Sequence, residues 1–456
     1  MTARRLPRLC LLAAAALAAS PARAQTAGIS IIRDAEIEQL LRDYTAPVFK
    51  AAGIHAGAAK IILIGDRSFN AFVADGQKIF VNVGALMEAK TPGEVIGVLA
   101  HETGHIAGGH LARQHQALAN AQIMSVAGML VSAGAIAAGA SSKGRIGSDS
   151  EGALGVLLGP QELVRRSLLS YQRGEEQAAD RGAVKYLDAS GQSSRGLLAT
   201  LERFNNEALF KTSALDPYLI THPLPAERIS NLKAAASASP YFEVKDSSAL
   251  QARHDLMRAK LFGFVAEAGE IARRYPISDN SPGARYARAI SAYRFGRLAE
   301  ALALIDSLIA GQPGSPWFRE LKGQALLEAG RAGEALAPLR RASALAPDAV
   351  PIKVLLGHAL VAADTPASNK EAVRVLSNAT ARDGESAEAF QFLSMAYDRQ
   401  GNRPQAQLAA AQSLFVSGKF VEARTQAARA RDQLPKDSPG WLKADDILNY
   451  RPPDFE

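Results

Sequence analysis

The sequence predicts a mainly helical α+β chain in two parts. The first wraps a small β-sheet round one histidine-bearing helix, and the second is an all-α solenoid. Three observations carry this. Alternating apolar runs at Lys60–Ile64, Asn70–Val73 and Lys78–Val83, the last two flanking Asp75-Gly76, read as strands with a hairpin. The stretch V-L-A-H-E-T-G-H-I-A-G-G-H, Val98 to His110, sets polar groups into an apolar helix. From about Ser281 the chain is alanine-rich, and Gly296/Gly330, Ala301/Ala335 and Pro313/Pro347 each recur at a step of 34 residues.

At 456 residues the chain is too long for one core, and 48% hydrophobic with 21% charged residues is ordinary globular composition. Arg4, Arg5 and Arg8 precede the apolar run Leu9–Ala18, and Ala22-Arg23-Ala24 is a small-residue cleavage signature. Residues 1–24 therefore read as a secretory signal, the run being short for a membrane span of about 20 residues. The expected organisation is signal 1–24, a first domain over 25–245, a helical connector over 246–280 and repeats over 281–456. The one cysteine, Cys10, lies in the signal, so an exported chain has no disulfide, thiol nucleophile or thiolate metal site. Without the arginines at 4, 5, 8 and 23 the formal charge falls from +7 to +3, and no nucleic acid partner is implied.

Asp34 to Ala52 reads as an amphipathic helix with Asp34 as N-cap, Glu36 and Glu38 in the first turn, and Pro47 as a point of kinking or shortening. The strands follow and should form a mostly antiparallel sheet. Thr91-Pro92-Gly93-Glu94 starts the histidine helix with a cap, a proline at its first position and a glutamate three beyond the cap. Ala121–Ala140 is small and apolar; with Gly152–Leu158 it reads as a packed or membrane-touching hairpin over 121–158 rather than a span. Gln161–Leu187 and Ser194–Phe210 read as helices either side of Ser190-Gly191. The loop T-H-P-L-P, Thr221 to Pro225, leads to a helix with Arg228 in its first turn. In the repeats, Gly323 and Gly357 let paired helices approach, and prolines end the second helix of each pair. An insertion around Asp364–Asn369 displaces the third unit, and a later one is readable at Tyr397 and Gly401.

His101-Glu102-Thr103-Gly104-His105 is H-E-x-x-H. On a helix, residues four apart share a face, so His101 and His105 aim at one ion. Glu102 stands beside that ion, where a general base for metal-activated water belongs. A catalytic zinc takes three protein ligands and keeps one position open. Position 111, where a third ligand on the same stretch would stand, is Leu111. Helix phase turns His110 about 180° from His101, so on a straight helix it is structural. His55, His115, His254 and His358 lie in no motif and read likewise. The remaining source is a second helix, in R-G-E-E-Q-A-A-D. Glu176 and Asp180, four apart, face one way, one to bind metal and the other to orient a ligating histidine. Spacing alone does not separate Glu176 from Glu175.

H-E-x-x-H followed some 70 residues on by E-x-x-A-D resembles the HtpX-type and CAAX-prenyl-protease-like zinc peptidases, a gluzincin-like arrangement, over roughly Ile31 to Lys233. With the signal, the T-H-P-L-P loop and the tetratricopeptide tail, it is similar to periplasmic members of that family concerned with outer-membrane protein quality control. The resemblance implies one catalytic Zn2+ held by His101, His105 and Glu176, with Glu102 as base and Asp180 orienting a ligand. It further implies Asn70-Ala71-Phe72 as the edge-strand segment beside the cleft and Arg228 as a cationic group at the oxyanion. His222, presented between Thr221 and Pro223, becomes a residue that can fill the metal's open position.

The expected activity is a periplasmic zinc metalloendopeptidase. Its substrates would be unfolded or misassembled envelope polypeptides lying extended along the edge strand. The repeats, degenerate after their second unit, would bind clients or the envelope assembly machinery. Two other readings are a non-proteolytic chaperone or adaptor, which has no use for Glu102, and an inner-membrane protease anchored through 121–140.

Overall fold

A computed structural model describes residues 30–114, 116, 172–210, 218, 221–223 and 226–451, apart from 56 and 75. The expected signal, the 121–158 hairpin, His115 and Leu224-Pro225 lie outside the described residues.

Asp34 caps the first helix, α1 (Ala35–Ala51), its Oδ1 accepting from the Ile37 amide at 2.9 Å. The helix runs on through Pro47 and buries Ile37, Leu40, Leu41, Tyr44 and Val48, a single apolar stripe. Four strands, β1 (Ile31–Ile32), β2 (Lys60–Ile64), β3 (Ala71–Ala74) and β4 (Lys78–Asn82), form one sheet in the order β1-β2-β4-β3. Gly76, at φ +81°, supplies the left-handed residue of the β3–β4 hairpin loop. The sheet is more mixed than expected. Its outer pairings are antiparallel but its central one, β2 with β4, is parallel. After β2 the chain runs out to the sheet margin, and the hairpin returns β4 into the gap. β3 is thereby left as an edge.

The short helix α2 (Val83–Glu88) leads to α3 (Pro92–Gly108), which starts at Thr91: its hydroxyl accepts from the Glu94 amide at 3.4 Å. Val95, Ile96, Val98, Leu99 and Ala100 bury one side of α3 in the core. Helix α4 covers 172–189, followed by α5 (Arg195–Phe210), α6 (Ala226–Ser237), α7 (Ser248–Val265) and α8 (Ala268–Arg274). On α7, Met257, Ala259, Leu261 and Phe262 join the same buried cluster as α1 and α3. His254, also on α7, is fully buried, with Nδ1 3.0 Å from the Tyr44 hydroxyl and Nε2 3.0 Å from the Ala89 carbonyl oxygen. It is a structural histidine, and burial holds its pKa down at about 4 from an ordinary 6.5. The unfolded chain therefore takes up this proton at a higher pH than the folded one. Stability should fall as pH drops from about 6.5 towards 4. His254→Gln should remove part of that dependence in chemical denaturation at pH 7 and pH 5.

Five helix pairs follow: α9 (Pro282–Arg294) with α10 (Leu298–Gly311), α11 (Pro316–Glu328) with α12 (Ala332–Leu345), α13 (Val350–Ala363) with α14 (Pro366–Arg382), α15 (Ala387–Arg399) with α16 (Arg403–Val416), and α17 (Phe420–Gln433) with α18 (Pro439–Asn449). This is a tetratricopeptide-type solenoid. A Cβ added at Gly323 would lie 2.3 Å from Leu339 Cγ, and one at Gly357 2.3 Å from Leu376 Cδ2, so the repeated glycine is where the paired helices touch. The left-handed turn at Gly296 and Gly330 is taken in the third unit by Asp364 (φ 48°), still in register. The slip starts only after it. Thr365 and Ser368 form a capping box, and α14 runs 17 residues where α10 and α12 have 14.

The solenoid folds back onto the first domain. Ala35 is buried in one cluster with Ala342, Ala349 and Ile352. Nearby, buried Lys260 reaches Asp34 (2.7 Å) and Glu36 (3.3 Å), and the Tyr286 hydroxyl donates to Glu36 at 2.9 Å. Among the described residues, no helix is long and apolar enough to cross a membrane.

Candidate metal centre

Two helices build the site, and a glycine sets their spacing. A Cβ at Gly104, inside H-E-x-x-H, would lie 2.7 Å from the Ala179 carbonyl oxygen and 2.8 Å from its Cα on α4. This close approach brings Glu176, one turn earlier on α4, level with His101 and His105. Gly104→Ala should push the helices apart, costing about 1–3 kcal/mol of overpacking. The expected result is a melting temperature lower by a few degrees and metal affinity lower by at least about tenfold. Thermal unfolding with and without chelator checks both.

His101 Nε2 and His105 Nε2 are 3.1 Å apart. Glu176 places Oε2 3.3 Å from His101 Nε2 and Oε1 3.3 Å from His105 Nε2. His222 adds Nδ1, 3.3 Å from His101 Nε2 and 3.1 Å from Glu176 Oε2. Four ligands about 2.0–2.1 Å from a tetrahedral centre stand about 3.3 Å from each other; the separations above lie near that value and the four residues' ligand atoms all lie within 4.8 Å of one another, so the cluster could hold one ion of zinc size. The donor set, three imidazoles and a carboxylate, suits the same metal.

Behind these ligands stand Asp180 and Arg228. Asp180 Oδ1 lies 2.9 Å from His101 Nδ1, the ring atom pointing away from the cluster. Contact with His101 and Arg228 outweighs burial and holds the Asp180 carboxyl down at about 2. The Arg228 side chain is buried, with Nε 2.6 Å and Nη2 3.0 Å from the Asp180 oxygens, and Nη1 2.7 Å from Glu176 Oε2 and 3.2 Å from the Pro223 carbonyl. With its donors turned on these acceptors it clamps the carboxylates, and Nη2 also stands 3.5 Å from His101 Nε2.

The active face is a cleft of about 350 Å³ lined by Phe72, Val73, Glu102, His105, Glu176 and His222, among others. Asn70, buried, precedes β3, and Thr221 Oγ1 donates to its side-chain oxygen at 3.3 Å. His222 stacks on Tyr218 and places Nε2 3.1 Å from the Ala71 carbonyl oxygen on the edge strand of the sheet. Glu102 is fully buried, and neither carboxylate oxygen has a hydrogen-bond partner among the described residues. Burial pushes its pKa up. An orphaned carboxylate here is costly unless a metal and its water complete the site, so the residues present fit that group.

Sequence reasoning missed one layer. α3 ends at Gly109, left-handed at φ 67°, so the phase that turned His110 away from the site does not extend that far. His110 folds back, with Nδ1 2.9 Å from His105 Nδ1 and Nε2 2.8 Å from Glu175 Oε2. It is no ligand, but it touches one. Glu175 and Glu176, inseparable by spacing, are divided by the fold: the first meets His110, the second the metal cluster. Gly108-Gly109 was the available signal, because glycine past a helix end marks a reversal. His358 is elsewhere, stacked on Phe392.

Residues 32–236 match the family described as peptidase family M48. That stretch is a metalloprotease domain of this type. In type it is a BepA-like peptidase. Over 414 residues it is 23% identical to the β-barrel assembly-enhancing protease (BepA) of Escherichia coli K12, covering 87% of this chain and 80% of that protein. The protein of the same name from Yersinia pestis is 27% identical over 280 residues, covering 60% of this chain and 55% of that protein. A solved tetratricopeptide protein of Thermus thermophilus is 21% identical at a TM-score of 0.25, covering 37% of this chain and 99% of that one.

Proposed function

We propose that the chain is a zinc-dependent endopeptidase of the bacterial periplasm, acting on unfolded or misassembled outer-membrane polypeptides that its repeats help to recruit. One observation carries the chemistry: a fully buried Glu102, with no hydrogen bond to either oxygen among the described residues, stands beside a three-histidine, one-carboxylate cluster that could hold a metal. A chaperone or adaptor alone leaves that carboxylate unexplained. The name of the E. coli and Yersinia relatives supports a role in β-barrel assembly, and the solenoid supports a protein partner.

Zinc held by His101, His105 and Glu176 would polarise the scissile carbonyl and acidify water. Glu102 takes the proton from the attacking water and returns it to the leaving amine. Asp180 fixes the tautomer of His101, and Arg228 holds Asp180 and Glu176 in place. An extended substrate pairs with β3, whose edge fixes backbone register without demanding a sequence. His222 acts as a latch. Its Nδ1 would occupy one of the metal's positions while its Nε2 donates to the Ala71 carbonyl oxygen, so movement of the 221–223 segment would open the site.

Chelation should reduce casein digestion by at least about a hundredfold, and one equivalent of zinc should restore it. Undiminished digestion by the metal-free protein would overturn the assignment.

A further inference from the structure

Resting on the metalloprotease reading, we propose that Gly108-Gly109-His110 is a fold-back that makes His110 the positioning residue for His105, with Glu175 holding His110 in turn.

A neutral imidazole carries one N–H. When His105 binds metal through Nε2, its hydrogen sits on Nδ1 and must be donated. The atom 2.9 Å from it is His110 Nδ1, which accepts only if the His110 hydrogen sits on Nε2. That Nε2 lies 2.8 Å from Glu175 Oε2, an acceptor. Arg113 Nη2 donates to the same Glu175 oxygen at 2.8 Å, and Arg113 also bonds the Gly108 carbonyl oxygen. His105 donates to His110 and His110 to Glu175, which also accepts from Arg113, so each hydrogen in the relay has an acceptor. Asp180 does the same for His101 directly. Both histidine ligands are thus anchored by a carboxylate, one at first hand and one through a second ring.

The backbone is shaped for this contact. Gly109 sits in the left-handed region at φ 67°. A Cβ on Gly108 would lie 2.2 Å from His110 Nε2, so a side chain there would expel the ring. His110 itself is 6% exposed, too buried for a surface histidine.

The test compares the full chain with His110→Ala, His110→Gln, Glu175→Ala and His101→Ala. Zinc affinity is read by chelator competition, and ligand geometry by the visible spectrum of the cobalt(II)-substituted protein. Loss of an outer partner of this kind typically lowers metal affinity about 10–100-fold. His110→Ala should show that loss and an altered cobalt spectrum, with circular dichroism and melting of the metal-free form unchanged. His110→Gln, whose amide oxygen can accept from His105 Nδ1, should recover part of both, and Glu175→Ala should fall between. If wild type binds one zinc that His101→Ala abolishes, while His110→Ala keeps wild-type affinity and spectrum, the positioning role is overturned and the metal site stands. If His101→Ala binds zinc as wild type does, the metal reading itself fails.

Discussion

Glu102→Gln should leave a folded protein with its metal affinity nearly intact and no measurable casein digestion. The substitution is isosteric, and the carboxylate it removes accepts no hydrogen bond among the described residues, its contact with His222 Nε2 standing at 3.5 Å. Positioned general bases contribute about 10²–10⁴ in rate. Removing the group placed to accept a proton should therefore cost at least about two orders of magnitude in kcat, with KM little changed. Loss of activity together with loss of zinc would point to a structural failure instead. Digestion at the wild-type rate would sink the assigned mechanism.

His222→Ala should act in the opposite direction on activity. In the structure its Nδ1 stands 3.1 Å from Glu176 and 3.3 Å from His101, within the cluster that could hold the metal. Its Nε2 covers the Ala71 carbonyl oxygen, the first acceptor on the edge where a peptide would pair. A latch closed nine-tenths of the time lowers apparent affinity about tenfold. The variant should accordingly show kcat/KM raised by about that factor, and a faster loss of zinc to chelator because one donor is gone. Unchanged proteolysis and unchanged zinc affinity together would end the latch idea.

Much of the frame was legible in the chain because it rests on short-range rules. Asp34, Thr91 and the hairpin glycine act within a few residues, and the 34-residue step is visible without any long-range pairing. The histidine pair was legible for the same reason, since four residues of helix fix which way both rings point. What was not legible depends on a second element. Nothing local tells whether Glu175 or Glu176 meets His101, because that is set by how Gly104 seats α3 on Ala179. His110 was misplaced by extending helix phase past Gly109, where the helix had already stopped. Arg228 was singled out through the family resemblance, but its pairing with Asp180 and Glu176 depends on a helix far along the chain and was not legible. The parallel pairing of β2 with β4 was hidden for a similar reason: the intervening hairpin is obvious, while the slot it returns to is not.

The burial of Ala35 among Ala342, Ala349 and Ile352 has a bearing on the order of events during synthesis. A ribosome or an export channel delivers the start of α1 first, and its apolar partner surface arrives some three hundred residues later. Closing so long a loop costs only slightly more entropy than closing one half its length, so the penalty falls on time rather than on final stability. Until the third helix pair has emerged, the first helix has no complete place to dock. A chain cut short before residue 342 would contain every ligand of the metal cluster and still present an unfinished first helix to the quality control of its own compartment.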